Sequence, residues 1–176
     1  VYLTQQGENR LFRAADVVSI RFKRTEGAGD VATRLTATDG PLAGFQVLAS
    51  LGTGGSLFRL PDSQRLAGQD LLTFNNVGLS GAQGVEGVAD AQPVFRDPDS
   101  GLLLVPTSEL IVALRSGVDP AGYFGTAWLG NVRRVDGTLD QYVLDLSGAS
   151  VEELLAEVNK HAQDPRVIFA EPNFLQ

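Results

Sequence analysis

Asp164-Pro165-Arg166-Val167-Ile168-Phe169-Ala170-Glu171-Pro172-Asn173-Phe174-Leu175-Gln176 is the stretch whose reading decides the fold. Asp164-Pro165 stops a helix, because proline cannot continue one and restricts the residue before it. Residues 167–170 form a short apolar run of strand type. Glu171-Pro172-Asn173 then reads as the point where that strand leaves its sheet. Glu171, Pro172, Asn173, Phe174, Leu175 and Gln176 are thus expected to form an extended tail, the form of chain that a protease cleft binds.

The elements before this stretch define its setting. Ser150-Val151-Glu152-Glu153 is a capping box. Val151, Leu154, Leu155, Val158 and Ala162 follow it as one helical stripe. Asp136-Gly137 is the strongest short hairpin signal and joins strands at 131–135 and 141–146. Asp119-Pro120 supplies an N-cap and a proline at the first helical position, opening a helix to about Leu129. Residues 109–115 are a strand. The second half therefore reads β-α-β-β-α-β, the split βαβ or ferredoxin-like pattern.

The same order is predicted for the first half. Strands are expected at 17–22, 45–50, 56–60 and 85–95, with a helix from Asp30 to about Thr38. A second helix opens at Asp62-Ser63 and runs toward Phe74, and residues 75–84, rich in Gly, Asn and Ser, read as loop. A hairpin over residues 1–13, turning at 5–9, precedes it. Ala91-Gln92-Pro93-Val94-Phe95 parallels Ala170-Glu171-Pro172-Asn173-Phe174, which together with the repeated element order points to an internal duplication. The expected architecture is α+β, two tandem ferredoxin-like units with antiparallel sheets behind an N-terminal hairpin. Residues 1–96 hold the hairpin and a divergent first unit, 97–108 a linker, and 109–176 the second unit with its tail.

Alternation on the strands of the second half is incomplete. Ile111, Ala113, Val143 and Ile168 are left over on the face away from the helices. An apolar patch there marks a contact, made by the other half, by the N-terminal hairpin or by a second protein.

Composition narrows the chemistry. With 14 Lys and Arg against 21 Asp and Glu, the net charge of −7 and the lack of a basic run argue against nucleic acid. There is no Cys, which removes disulfides and thiolate metal sites. No apolar run reaches the ~20 residues that span a bilayer. The chain begins at Val1 and holds no Met, so it reads as an excerpt of a longer protein, and the missing targeting signals carry no weight. The lone His161 reads as an exposed helix-end residue, its protonated form facing the C-terminal dipole. Without a Gly-x-Ser-x-Gly elbow, a triad reading of this segment is poor. Asp97-Pro98-Asp99-Ser100-Gly101 lacks the later ligands of a calcium loop and reads as a turn. Gly52-Thr53-Gly54-Gly55 lies in a hairpin and reads as its turn, not as a phosphate cradle. No metal or cofactor is expected.

Residues 109–174 resemble the prodomain of subtilisin-like serine proteases (subtilases). The resemblance is carried by Leu110-Ile111-Val112-Ala113-Leu114, Tyr142-Val143-Leu144-Asp145-Leu146, the helix over 151–163, and Asp164-Pro165-Arg166-Val167 through Ala170-Glu171-Pro172-Asn173-Phe174. The opening hairpin and the strand at 17–22 resemble an extra module that precedes some bacterial members. Gln92 and Val94 depart from the Glu and Asn that the pattern has at those positions. The resemblance implies an intramolecular chaperone and autoinhibitor, part of a serine endopeptidase precursor, secreted or in the cell envelope. Its partner would be a downstream subtilisin-like catalytic domain in cis. The face bearing Ile111, Ala113, Val143 and Ile168 would dock on that domain, and residues 171–176 would lie in its cleft. Two other readings stand beside it. One is a duplicated ferredoxin-like regulatory module holding a small ligand between its halves, with Gly27-Ala28-Gly29 as candidate pocket. The other is a stand-alone protease inhibitor.

Overall fold

The computed structural model of the chain describes residues 2–4, 7–24, 27–52 and 54–175. The chain is α+β, with a mostly antiparallel sheet and, among the described residues, four α-helices, an architecture consistent with the ferredoxin-like pattern. It divides into two compact units, Arg13–Arg96 on the one hand and Val1–Phe12 with Asp97–Gln176 on the other. The N-terminal hairpin thus groups with the second half, not with the first as expected. Its strands β1 (Tyr2–Thr4) and β2 (Gly7–Asn9) pair antiparallel, Tyr2 opposite Asn9. The expected turn falls partly on residues 5 and 6, which lie outside the described residues.

The unit Arg13–Arg96 is built from β3 (Phe12–Phe22), α1 (Ala28–Thr36), β4 (Gln46–Leu51), β5 (Gly55–Arg59), α2 (Leu71–Gln83) and β6 (Val88–Arg96). Its strand order is β4-β5-β3-β6. Alternate residues of β3 drive this arrangement: Val18, Ile20 and Phe22 enter a core with Val31 and Leu35 of α1, Phe58 of β5 and Leu79 and Ala82 of α2. Each of these side chains larger than alanine contributes about 1.5–3 kcal/mol by leaving water.

Helix α2 corrects the reading of 62–84. Asp62-Ser63 opens only a single 3-10 turn, Asp62–Gln64. The long helix begins eight residues later, where Asp70 accepts hydrogen bonds from the Leu72 and Thr73 amides and from the Thr73 hydroxyl. The residues that read as loop are its packing surface. A Cβ at Gly81 would sit 2.7 Å from Cβ of Pro41, and one at Gly78 3.1 Å from Leu42. Asn75 is fully buried, donates to the Val17 carbonyl at 3.1 Å and accepts from Arg13 Nη2 at 3.0 Å.

The second unit continues with β7 (Leu103–Leu114), α3 (Pro120–Phe124), a 3-10 segment (Gly125–Leu129), β8 (Val132–Arg134), β9 (Gln141–Asp145), α4 (Val151–Ala162) and β10 (Val167–Leu175). Its strand order is β10-β7-β9-β8. The expected linker is shorter than 97–108. Asp97 accepts from the Asp99 and Ser100 amides and the Ser100 hydroxyl, closing a turn, and strand begins at Leu103. The capping box of α4 is complete: Ser150 Oγ accepts from the Glu153 amide, and Glu153 Oε2 from the Ser150 amide. Leu154 and Val158 of α4 pack on Leu110, Val112, Leu114, Tyr142, Leu144, Val167 and Ala170.

The C-terminal stretch differs most from expectation. β10 does not stop at Ala170. Glu171 lies opposite Ile111, Pro172 opposite Leu110, Phe174 opposite Pro106 and Leu175 opposite Val105. Thr107 Oγ1 donates to the Asn173 carbonyl at 2.6 Å, and Asn173 Nδ2 donates to Glu109 Oε2 at 2.9 Å. Residues 171–175 are therefore sheet, not an extended tail leaving the domain. The physical reason is β7, which at 12 residues is long enough to pair with β10 beyond the end of its pairing with β9. Gln176 lies outside the described residues.

Candidate functional site

The predicted docking residues come together only in part. Cross-strand neighbours share a sheet face, and Ile111 sits between Val143 on β9 and Glu171 on β10. Ala113 lies between Gln141 and Phe169. Ile111, Ala113 and Val143 thus share the face away from α4, but Ala113 and Val143 are 3% and 4% exposed and offer little surface. Ile168 falls in a bulge between Val167 and Phe169, so Phe169 takes the place beside Ala113. On the same face Arg133 Nη2 donates to both carboxylate oxygens of Glu109, at 3.2 and 3.3 Å.

A second candidate lies on the other side of this sheet, at the C-terminal end of α4. A cleft of about 270 Å³ is lined by Tyr123, Phe124, Ala127 and Leu144 and by Glu157, Lys160, His161, Asp164 and Arg166. The aromatic side is fixed by stacking within the core. The Phe124 ring meets Tyr123 edge-on at 4.9 Å and Tyr142 at 5.5 Å, and stacks on Trp128 at 6.3 Å. Asp119 holds the start of α3 by accepting from the Gly122 amide, so Tyr123 and Phe124 are delivered by a capped helix.

His161 is buried at 8% exposure, which corrects its reading as an exposed helix-end residue. It stands three residues after Val158 and seven after Leu154, on the stripe that faces the core. Its Nδ1 lies 2.6 Å from the Tyr123 hydroxyl. Its Nε2 is buried without a hydrogen-bond partner, 3.6 Å from Glu157 Oε1. Burial pushes the imidazole below its usual range, and Lys160 adds to this, while Glu157 and Asp164 oppose it. Burial, then Asp164, pushes the Tyr123 hydroxyl up to about 12, so it keeps its proton.

The charges around the cleft are matched in pairs. Arg166 donates to both oxygens of Asp164, at 3.0 and 2.7 Å, and its guanidinium lies 4.7 Å from the centre of the Tyr123 ring. The Arg166 side chain and amide together hold the Asp164 carboxyl down to about 2. Lys160 donates to Glu157. Among the described residues no group of three or more His, Asp or Glu could hold a metal, and no helix is long and apolar enough to cross a membrane.

No family model matches the chain, and no curated protein matches it. Among solved structures it is similar to the small subunit of acetolactate synthase from Thermotoga maritima, with 15% identity over 92% of this chain and 97% of that one and a TM-score of 0.32. The comparisons return no protease prodomain, and the residues that carried that resemblance are bonded into β10. The subtilase reading therefore does not hold. With it go the propeptide and inhibitor roles, the serine endopeptidase precursor, and the downstream catalytic domain as partner.

Proposed function

We propose that this chain is a duplicated ferredoxin-like module that binds a small ligand, acts by regulation and catalyses no reaction of its own. The repeated element order supports the duplication. Each half ends on a strand whose alanine is buried in its own core, Ala91 in one and Ala170 in the other, within the sequence parallel between the two strands. One observation carries the binding reading: a cleft of about 270 Å³ walled by Tyr123 and Phe124 and rimmed by Glu157, Lys160, His161, Asp164 and Arg166. Clefts near this size with an apolar wall and a few polar groups hold small molecules. The Tyr123 hydroxyl is bonded to the imidazole, and the four charges are paired with one another. These groups serve positioning better than proton transfer. A module without chemistry acts through the coupling between ligand binding and the state of whatever it is joined to.

Thermal unfolding with a panel of amino acids, nucleotides and other metabolite-sized molecules tests this. A binder raises Tm and shifts the emission of Trp128, the chain's single tryptophan, which stacks on Phe124 at the cleft. If no panel member moves either reading, the proposal fails.

A further inference from the structure

An open sheet edge presents a row of amides and carbonyls, and folded chains blunt it with charge, proline, short length or cover. The edges of the larger sheet are not treated alike. β8 is three residues long and ends in Arg133 and Arg134. β10 carries Glu171 and Pro172, and β1 runs close to it. β4 has none of this. It is the last strand of the order β4-β5-β3-β6, with β5 as its one strand neighbour. From Gln46 to Ser50 every residue is exposed, so no other element covers the strand. Among the described residues nothing pairs with its outer backbone over that stretch.

The strand reads Gln46-Val47-Leu48-Ala49-Ser50-Leu51, without a charge or a proline. Val47 is 53% and Leu48 45% exposed, two adjacent apolar side chains left in water. Its one irregularity is a bulge at Leu48, and the extra residue there is again apolar. Charge decides what can approach this edge. The chain carries −7, so two copies repel one another. From Gly40 to Phe58 the sequence holds no charged residue, so at β4 two copies meet without local opposition. An antiparallel strand can pair with itself about a two-fold axis, where outward amides of one copy find carbonyls of the other. The two strands are then matched in length by identity.

We infer that β4 is a self-association edge: β4 of one copy pairs antiparallel with β4 of a second copy, joining their sheets across a two-fold axis. This is independent of the ligand-binding reading above. A ladder of six residues buries less than the roughly 1,200 Å² of stable complexes, so the dimer is weak and forms with rising concentration. Sedimentation of the full chain from about 10 µM to about 1 mM should show monomer passing into dimer. Amide exchange at 46–51 should slow in parallel. Leu48→Glu and Leu48→Lys place charge at an exposed position. Each should weaken association roughly tenfold, because like charges then meet across the axis. Mixed in equal amounts, the two variants should associate again, a recovery that a damaged fold cannot give. If the unaltered chain stays monomeric at the highest concentration, the inference falls. Dimers that neither variant weakens, or variants that do not recover on mixing, place the contact elsewhere and overturn it as well. The last outcome is a chain that stays monomeric while an unrelated extended peptide, acetyl-Thr-Val-Thr-Val-Thr-Val-amide, protects β4 from exchange. The edge would then take a foreign strand, and a second copy would be the wrong occupant.

Discussion

His161 shows how one side chain escapes a residue-by-residue reading. As a letter near a helix end it suggests a cation facing a dipole. As the tenth residue after Val151 it continues the stripe Val151, Leu154, Val158, and burial follows. That periodicity was present in the sequence, but a polar residue on an apolar stripe is easily assigned to solvent. Burial has a pH consequence whose sign is fixed. The folded imidazole is depressed below the 6.5 of the free group, so protons bind the unfolded chain more readily. The stability that His161 contributes is complete above about 6.5 and is lost as pH falls through its lower folded value. Urea unfolding at stepped pH should show the chain losing stability below about pH 6.5, with His161→Phe flattening that segment of the curve. Asp164 acts far lower: its contribution is complete above about 3.8 and is lost as pH falls from there through about 2. Tyr123, raised from 10.0 to about 12, contributes fully below about 10 and loses that contribution as pH climbs from there through about 12.

Among the elements, α4 and α2 mark the limits of local reading. The start of α4 was legible because Ser150 and Glu153 form a reciprocal cap that needs only four residues of sequence. The course of α2 was not, because Asn75, Gly78 and Gly81 carry weak helix propensity and strong loop statistics. The role of Gly78 and Gly81 appears only when residues 41 and 42 arrive from another part of the chain and leave no room for a side chain, and that of Asn75 only when Val17 and Arg13 arrive to bond it. Gly81→Ala separates the two effects. Helix propensity alone would stabilise by roughly 1 kcal/mol. The 2.7 Å approach to the rigid Pro41 ring opposes it, and overpacking costs about 1–3 kcal/mol. The contact is expected to win, so the variant should unfold at lower urea. A stabilised Gly81→Ala would mean that the helix and residue 41 do not meet this closely. The tail was misread for a related reason: a strand end is judged by its own residues, yet the length of β10 is set by how far β7 extends beside it.

For the whole molecule, element order was legible and grouping was not. The order β-α-β-β-α-β followed from turns and periodicity in each half, and the strand orders β4-β5-β3-β6 and β10-β7-β9-β8 agree with it. Sequence adjacency placed residues 1–12 with the unit that starts at Arg13, whereas β1 runs close to α4 and β10, about 150 residues away in the chain. Deleting residues 1–12 should therefore speed amide hydrogen exchange in α4 and β10 and leave the core of the unit Arg13–Arg96 largely protected. Loss of protection confined to β3 and β5 would assign the hairpin to the other unit.

The position of β10 also sets a timetable for synthesis. Until residues 167–175 emerge from the ribosome, one edge of β7 has no partner, and its amides and carbonyls from Val105 to Leu114 stay open to stray pairing. Residues 13–96 face no such delay, since their elements are contiguous and can close while later codons are still being read. Strand β1 can pair with β2 as soon as both are made, yet α4 and β10, its other neighbours, are the last elements synthesised.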